Sequence, residues 1–559
     1  MDLTAIPGVG EKTAASLAEL DDPEAAIESG DVAAVARAPG ISQGRAARIV
    51  RTAIRQRHGD EGTFLATPRA REVYEAVLAL LKARAVTDYA AARLETVYPS
   101  ESDSRIDEVR AMSERAMERG PDDAVLDVLE DVEPLEVPND VRVRDRCLAT
   151  TDGETYARAR EAIPEMSVEV VEDSRDLAEL ARGYATVVAL DDSFAGVDVE
   201  GDVRVEPDAL DDPASVVPER PLAFFAHNRE RLLAAIAVHR EADLEAPCDL
   251  DALEAALDRL DAEGTPTGDD ELTRLQTAVD DLDAAVSEAE SVANDRLREA
   301  IETQDVTIEG ADLLSLVERG AGVDEVLSRE LADEYDDAVE AAREHVIDAL
   351  ALRDLADVAR RAFPDEPTFP VEREESVVSR LREELTTARD RRAERLKVEL
   401  AEDLASMRAP SETLVDAALE LDVEYAIARF VADFDATMPE LGGDGITIEE
   451  GRSPLLDVDF EDVEPIDYEV RGVRLLSGVN SGGKTSTLDL LALMVILAHM
   501  GLPVPADRAR VGRIDALHYH AKTQGTLDAG AFESTLRSFG DLVTETATDA
   551  ETLVLVDEL

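Results

Sequence analysis

The stretch Gly478-Val479-Asn480-Ser481-Gly482-Gly483-Lys484-Thr485 constrains this chain more than any other part of it. It satisfies G-x-x-x-x-G-K-[ST], a pattern in which glycines let backbone N–H groups curl around phosphate oxygens where a helix begins. The loop needs a strand before it and a helix after it. Val473, Leu475 and Leu476 form a β-run ahead of it, and Thr487 to Leu493 opens an apolar helix behind it. In that setting Gly478, Asn480, Gly482 and Gly483 shape a phosphate cradle. Lys484 reaches the β- and γ-phosphates, the Thr485 hydroxyl ligates Mg2+, and Ser486 lies in the first helical turn. ATP and Mg2+ are the cofactors such a loop implies.

A second element belongs with it. The apolar run Thr552-Leu553-Val554-Leu555-Val556 ends in Asp557-Glu558. The first carboxylate is placed to hold the Mg2+ shell and the second to polarise the attacking water, which makes Glu558 and Lys484 the catalytic candidates and Thr485 and Asp557 the metal candidates. A buried strand that merely ends at solvent in two acids is the plain alternative, and the phosphate loop upstream favours the nucleotide reading. Both halves fall between 478 and 558, so no long coiled coil separates them as it does in ATPases of the SMC and Rad-fifty type.

The N-terminus carries a different signal. Ile6-Pro7-Gly8-Val9-Gly10-Glu11-Lys12 reads as a helix-hairpin-helix element, and Ala38-Pro39-Gly40-Ile41-Ser42-Gln43-Gly44 as a second copy with serine for the second glycine. Glycines keep the hairpin open, so N–H groups at the next helix start can take a DNA phosphate. Gly8, Gly10, Lys12, Gly40, Arg45 and Arg48 are the DNA-binding candidates, with Arg51 adding charge. A protein-docking module of the same fold is the alternative.

Charge restricts this reading less than its size suggests. The chain has 126 acidic against 57 basic residues, for a net charge of −69. Its only lysines are Lys12, Lys82, Lys397, Lys484 and Lys522. The acids are spread along every segment, which fits a salt-rich cytoplasm where self-repulsion is screened within about 3 Å at 1 M salt. Net charge therefore does not argue against nucleic acid. Hydrophobic content of 45% supports real cores. No apolar stretch approaches the roughly 18–20 residues that span a bilayer, and Met1-Asp2-Leu3-Thr4 shows no export signal. Cys147 and Cys248 are isolated, so no disulfide framework or zinc site is indicated. The expected location is cytoplasmic.

The pattern along the chain predicts a multidomain α and α/β protein. Residues 1–60 are a tandem helix-hairpin-helix module, and 61–135 a helical segment with Val73, Val77, Leu78 and Leu81 on one face. Residues 136–245 read as a small α/β connector-like domain with β-runs at Val141–Val143, Val168–Val171, Thr186–Leu190 and Leu222–Phe225. Residues 246–440 are helical, with 270–303 and 373–408 long enough for extended antiparallel helices or a coiled coil. Residues 441–559 form a partial ATPase domain. The arginines between Arg380 and Lys397 read first as a solvated face paired with nearby acids, and second as a DNA-facing surface.

At the motif level the chain resembles the MutS family. Its phosphate loop has asparagine third and a double glycine, as in that family. Gly451-Arg452-Ser453-Pro454 is similar to the family's G-R-H-P element, with serine for histidine. Met500 to Ala506 and Val511 to Asp515 resemble two further stretches, and Ala531 to Phe539 resembles the signature helix of the branch called MutS-two. The resemblance implies a lever and clamp in the helical region, a P-loop (ABC-type) ATPase, and a homodimer in which Ser534 or Thr535 touches the partner's ATP. It implies action on mismatched, branched or damaged duplex DNA in repair or recombination. None of the 11 phenylalanines is followed by x-Glu, so the family's mismatch-reading wedge is not expected. The family continues past the position of Leu559, so a chain cut short is expected. Two other classes stand beside this one: a factor that binds ATP and DNA without turnover, and a ribosome-associated relative.

Overall fold

A computed structural model describes residues 3–20, 22–60, 62–138, 141–197, 199, 201–303, 332–353, 355–365, 370–476, 483–521 and 551–557. The chain forms two compact units, each assembled from separated stretches. The first takes Met1–Val137, Asn228–Leu253 and Met407–Leu559, and the second Pro138–His227 and Glu254–Ser406.

The first unit begins with helices Glu11–Leu17, Pro23–Ser29, Val32–Ala36 and Gln43–His58. They close over buried Ile6, Leu17, Val32, Val35, Ile41 and Val50. Asp22 and Asp31 cap the second and third helices by accepting the amides of Ala25 and Ala34. Helices Pro68–Lys82, Asp88–Leu94, Asp103–Arg119 and Asp123–Leu129 follow. The expected face of the first is present: Val73, Val77 and Leu81 are buried and Leu78 is half-buried.

The C-terminal stretch packs on these helices. Within helix Glu375–Asp433, Asp422 is buried and accepts hydrogen bonds from the amides of Val86 and Thr87 and from the Thr87 hydroxyl. Helix Lys484–Met500 is wholly buried from Leu490 onward, as an apolar helix without a polar face must be. It ends at Gly501 in the left-handed region at φ +79°, where an added Cβ would lie 2.5 Å from the Ile106 carbonyl. The Ser113 hydroxyl donates to the Gly501 carbonyl at 3.0 Å and fastens this end. A mixed sheet runs in the order Glu440–Leu441, Arg508–Val511, Ile446–Gly451, Ile466–Val470. A separate parallel pair joins Ala516–Ala521 to Thr552–Asp557.

The second unit holds a parallel sheet in the order Ser167–Val170, Arg146–Thr150, Thr186–Ala189, Asp202–Val205. Its helical part is antiparallel: Asn294 bonds the Val371 backbone, Arg382 meets Asp283 and Arg392 meets Asp269, so one helix ascends as the other descends. Helix Asp270–Thr303 and the start of helix Glu375–Asp433 share a core with helix Ala332–Ala349 through Leu282, Val286, Tyr335, Val339, Val378 and Leu381. In that arginine stretch Arg382, Arg389 and Arg392 pair with acids, as does Arg380, whereas the exposed Arg391 and Arg395 form no ion pair among the described residues.

Three sequence expectations need correction. Val141–Val143 is irregular chain leading into the first strand. Leu222–Phe225 lies in helix Glu219–His227, because a short apolar run has no period of its own, and Pro221 falls in the first turn where its missing N–H costs nothing. The run Val473–Leu476 forms no strand among the described residues. It leaves Ile466–Val470 through Gly472 at φ +59°, and Val473 and Leu475 are 98% and 93% exposed.

Candidate functional site

Gly483 adopts φ +72° and stands as the N-cap of helix Lys484–Met500. A left-handed residue just before a helix turns the first amides outward, into a concavity that suits an anion. Lys484 is the first residue of this helix, Thr485 is exposed, and Ser486 and Thr487 are half-buried. The Thr487 hydroxyl donates back to the Gly483 carbonyl at 2.9 Å, which stiffens the turn.

The strand Thr552–Asp557 brings the second element to this helix start. It runs parallel to Ala516–Ala521, with Leu555 opposite Tyr519 and Asp557 opposite Ala521. Its last residue, Asp557, accepts the Thr485 hydroxyl hydrogen bond at 2.6 Å. A hydroxyl and a carboxylate at this spacing, beside the positive end of a helix, form a set of hard oxygen donors that fits Mg2+ bound with phosphate. Of the sequence candidates, Lys484, Thr485 and Asp557 are thus brought together, with Gly483 and Ser486 beside them. Gly478, Asn480, Gly482, Ser534 and Glu558 lie outside the described residues.

Sequence reasoning missed a contribution from the N-terminal half. The segment Phe64–Thr67 adds to the open side of strand Ala516–Ala521: Leu65 bridges Leu517 in parallel, and the Leu517 amide donates to the Phe64 carbonyl at 2.7 Å. The Thr67 hydroxyl donates to the Tyr519 carbonyl at 2.8 Å and accepts the Tyr519 amide at 2.9 Å. Two residues on, Arg69 reaches Asp489 at 2.6 Å, and the Tyr519 hydroxyl donates to the same Asp489 oxygen at 2.9 Å. Burial and then Asp489 push the Tyr519 hydroxyl well above its ordinary range, so it remains a donor. Nothing in the local sequence at 64–69 signals this role.

The helix-hairpin-helix candidates are also together. Gly8 and Gly40 have φ of +90° and +75°, and the amides of Val9 and Ile41 close equivalent turns on Ile6 and Ala38 at 3.0 and 3.1 Å. Gly10 and Ser42 are extended N-caps whose helices receive no side-chain cap. Lys12, Arg45 and Arg48 are exposed. Arg45 also donates to the Thr13 hydroxyl at 2.5 Å and so pins one hairpin to the other. Helix Gln43–His58 contains Arg45, Arg48, Arg51, Arg55 and Arg57 and no acid, a local reversal of the chain's overall charge.

Residues 1–53 match the family described as SAM-like helix-hairpin-helix tandem. The chain is also similar to the DNA-binding protein MutS2 of Pyrococcus furiosus, at 29% identity over 269 residues. That match covers 45% of this chain and 45% of the relative, so it spans less than half of that protein's length. The N-terminal tandem and the likeness to MutS-two proteins expected from the motifs are both borne out.

Proposed function

We propose that this protein is an ATP-dependent DNA-binding protein of the MutS type, acting on mismatched, branched or damaged duplex DNA in repair or recombination. The observation that carries the reading is the 2.6 Å hydrogen bond between Thr485 and Asp557 at the head of helix Lys484–Met500. Bound ATP with Mg2+ supplies the phosphoanhydride whose hydrolysis changes the protein's hold on DNA. Gly478, Asn480, Gly482, Gly483 and Ser486 would present amides and hydroxyls to the phosphates. Lys484 adds a point charge that can follow the β- and γ-oxygens. Thr485 and Asp557 would hold the metal shell, and Glu558 would orient the water. In a homodimer Ser534 would contact the partner's nucleotide.

DNA would meet the protein through the twin hairpins. Amides after Gly8-Val9-Gly10 and Gly40-Ile41-Ser42 take backbone phosphates, with Lys12, Arg45 and Arg48 around them. Oriented amides suit a protein of this charge, because counterion-release affinity falls steeply as salt rises. A DNA-binding relative and the acid-free helix Gln43–His58 support this partner.

The test is ATP turnover in molar KCl, with and without branched duplex DNA, beside Lys484→Ala. DNA-stimulated turnover lost in Lys484→Ala supports the reading. Nucleotide binding without turnover moves the chain to the non-hydrolysing class. Absence of nucleotide binding overturns it.

A further inference from the structure

Asp489 is a charge in an unexpected place. It lies four residues beyond Thr485 on helix Lys484–Met500, and residues at that spacing are neighbours on one helix face. An unpaired carboxylate there would repel a triphosphate at the helix start and offer Mg2+ a wrong oxygen ligand close to the right one.

Two donors from far apart in the chain supply the remedy. Arg69 and Tyr519 both donate to the same Asp489 oxygen, at 2.6 and 2.9 Å. Arg69 is anchored in turn. It follows Thr67, whose hydroxyl bonds both the amide and the carbonyl of Tyr519, and its guanidinium lies 5.5 Å from the Tyr519 ring centre. Its other terminal nitrogen meets Glu72 at 3.0 Å, which fixes the plane of the guanidinium. The Asp489 side chain is only 19% exposed, so the pair is screened less than a surface pair would be.

We infer that Arg69 is a positioning residue of the nucleotide site. It sequesters the Asp489 carboxylate away from the phosphates and the metal, and it locks the phosphate-binding helix to the strand beside the one bearing Asp557. The inference rests on the nucleotide reading of Lys484, Thr485 and Asp557. It makes the site a joint product of two stretches far apart in the chain.

The test is a charge-rescue cycle on the full chain, reading the affinity of a fluorescent ATP analogue with Mg2+ and with EDTA. Arg69→Gln is expected to weaken binding about tenfold or more with Mg2+, and to weaken it in EDTA as well, where the freed carboxylate faces an unscreened triphosphate. Adding Asp489→Asn to Arg69→Gln is expected to restore most of the loss, because no stray carboxylate remains. Arg69→Lys is expected to fall between the two. If Arg69→Gln unfolds, Tyr519→Phe removes one of the two donors and should produce a smaller loss of the same kind, again relieved by Asp489→Asn. Unchanged affinity in Arg69→Gln, or a loss that Asp489→Asn does not relieve, overturns the inference. If the unmodified chain binds no nucleotide, or Lys484→Ala binds as well as it does, the nucleotide reading itself has failed.

Discussion

The hydroxyl of Thr485 donates to Asp557 across 2.6 Å, joining the first turn of one helix to the last residue of a strand 72 positions later. In the proposed reading both groups face the same cation. Thr485→Ala and Asp557→Asn should each weaken Mg2+-dependent nucleotide affinity by at least about tenfold, with little change in EDTA. Titration of a fluorescent ATP analogue under both conditions measures the difference.

The hairpin residues divide by role. Lys12 and Arg48 are exposed, and Lys12→Ala with Arg48→Ala should lower the salt dependence of DNA binding by about one unit of log–log slope for each phosphate left without its cation. Arg45→Ala should additionally loosen the tandem, because it removes the bond to Thr13. Fluorescence anisotropy across a KCl series, run beside thermal melts, separates the two effects, since only the second also lowers thermal stability.

Asp422 serves three donors from Val86 and Thr87. Asp422→Ala leaves them buried without an acceptor and should cost about 3 kcal/mol, seen as an earlier first transition in calorimetry. Asp422→Asn, which keeps one acceptor oxygen, should cost less.

His499 is buried, its Nδ1 donates to the Val495 carbonyl at 2.8 Å, and its Nε2 accepts the Ile514 amide at 3.2 Å. Burial pushes it down to about 4 from an ordinary 6.5. The native ring therefore stays neutral while the unfolded ring takes a proton below 6.5. Its contribution is intact above that value and declines as pH falls towards 4, by about 1.4 kcal/mol per unit. His499→Gln should flatten the stability profile over this window in pH-dependent thermal scans.

Asp416 has the opposite sign. Burial, then the neighbouring Asp31 carboxylate, push it up to about 7, with Glu412 and Glu420 adding to the rise and Arg37 opposing it. The native state prefers the protonated acid, so stability is greatest below the ordinary carboxylate range and is lost as pH rises through 7. Asp416→Asn should raise the melting temperature most at pH 8, less at pH 5, and hardly at all below the ordinary carboxylate range.

Much of this was legible in the chain. The hairpin glycines and the helix face at Val73, Val77 and Leu81 follow from local patterns whose chemistry repeats at fixed spacing, and two separate motifs named the residues that meet as Thr485 and Asp557. The shortest apolar runs were not legible, since Leu222–Phe225 and Val141–Val143 are too brief to show a period and their neighbours decided them. Arg69, Asp489 and Tyr519 could not be read either. Each looks like an ordinary residue of its own element, and their meeting is set by tertiary packing alone.

The bonds from Thr67 to Tyr519 span 452 positions of the chain. On a ribosome moving at about 5–20 residues per second, the two partners emerge on the order of 20–90 s apart. Segment Phe64–Thr67 therefore has water in place of its native partners until strand Ala516–Ala521 has been made. Helix Pro68–Lys82 waits with it, part of its apolar face uncovered. Nascent chains of this protein thus carry an unpaired edge throughout that interval, open to pairing with another chain.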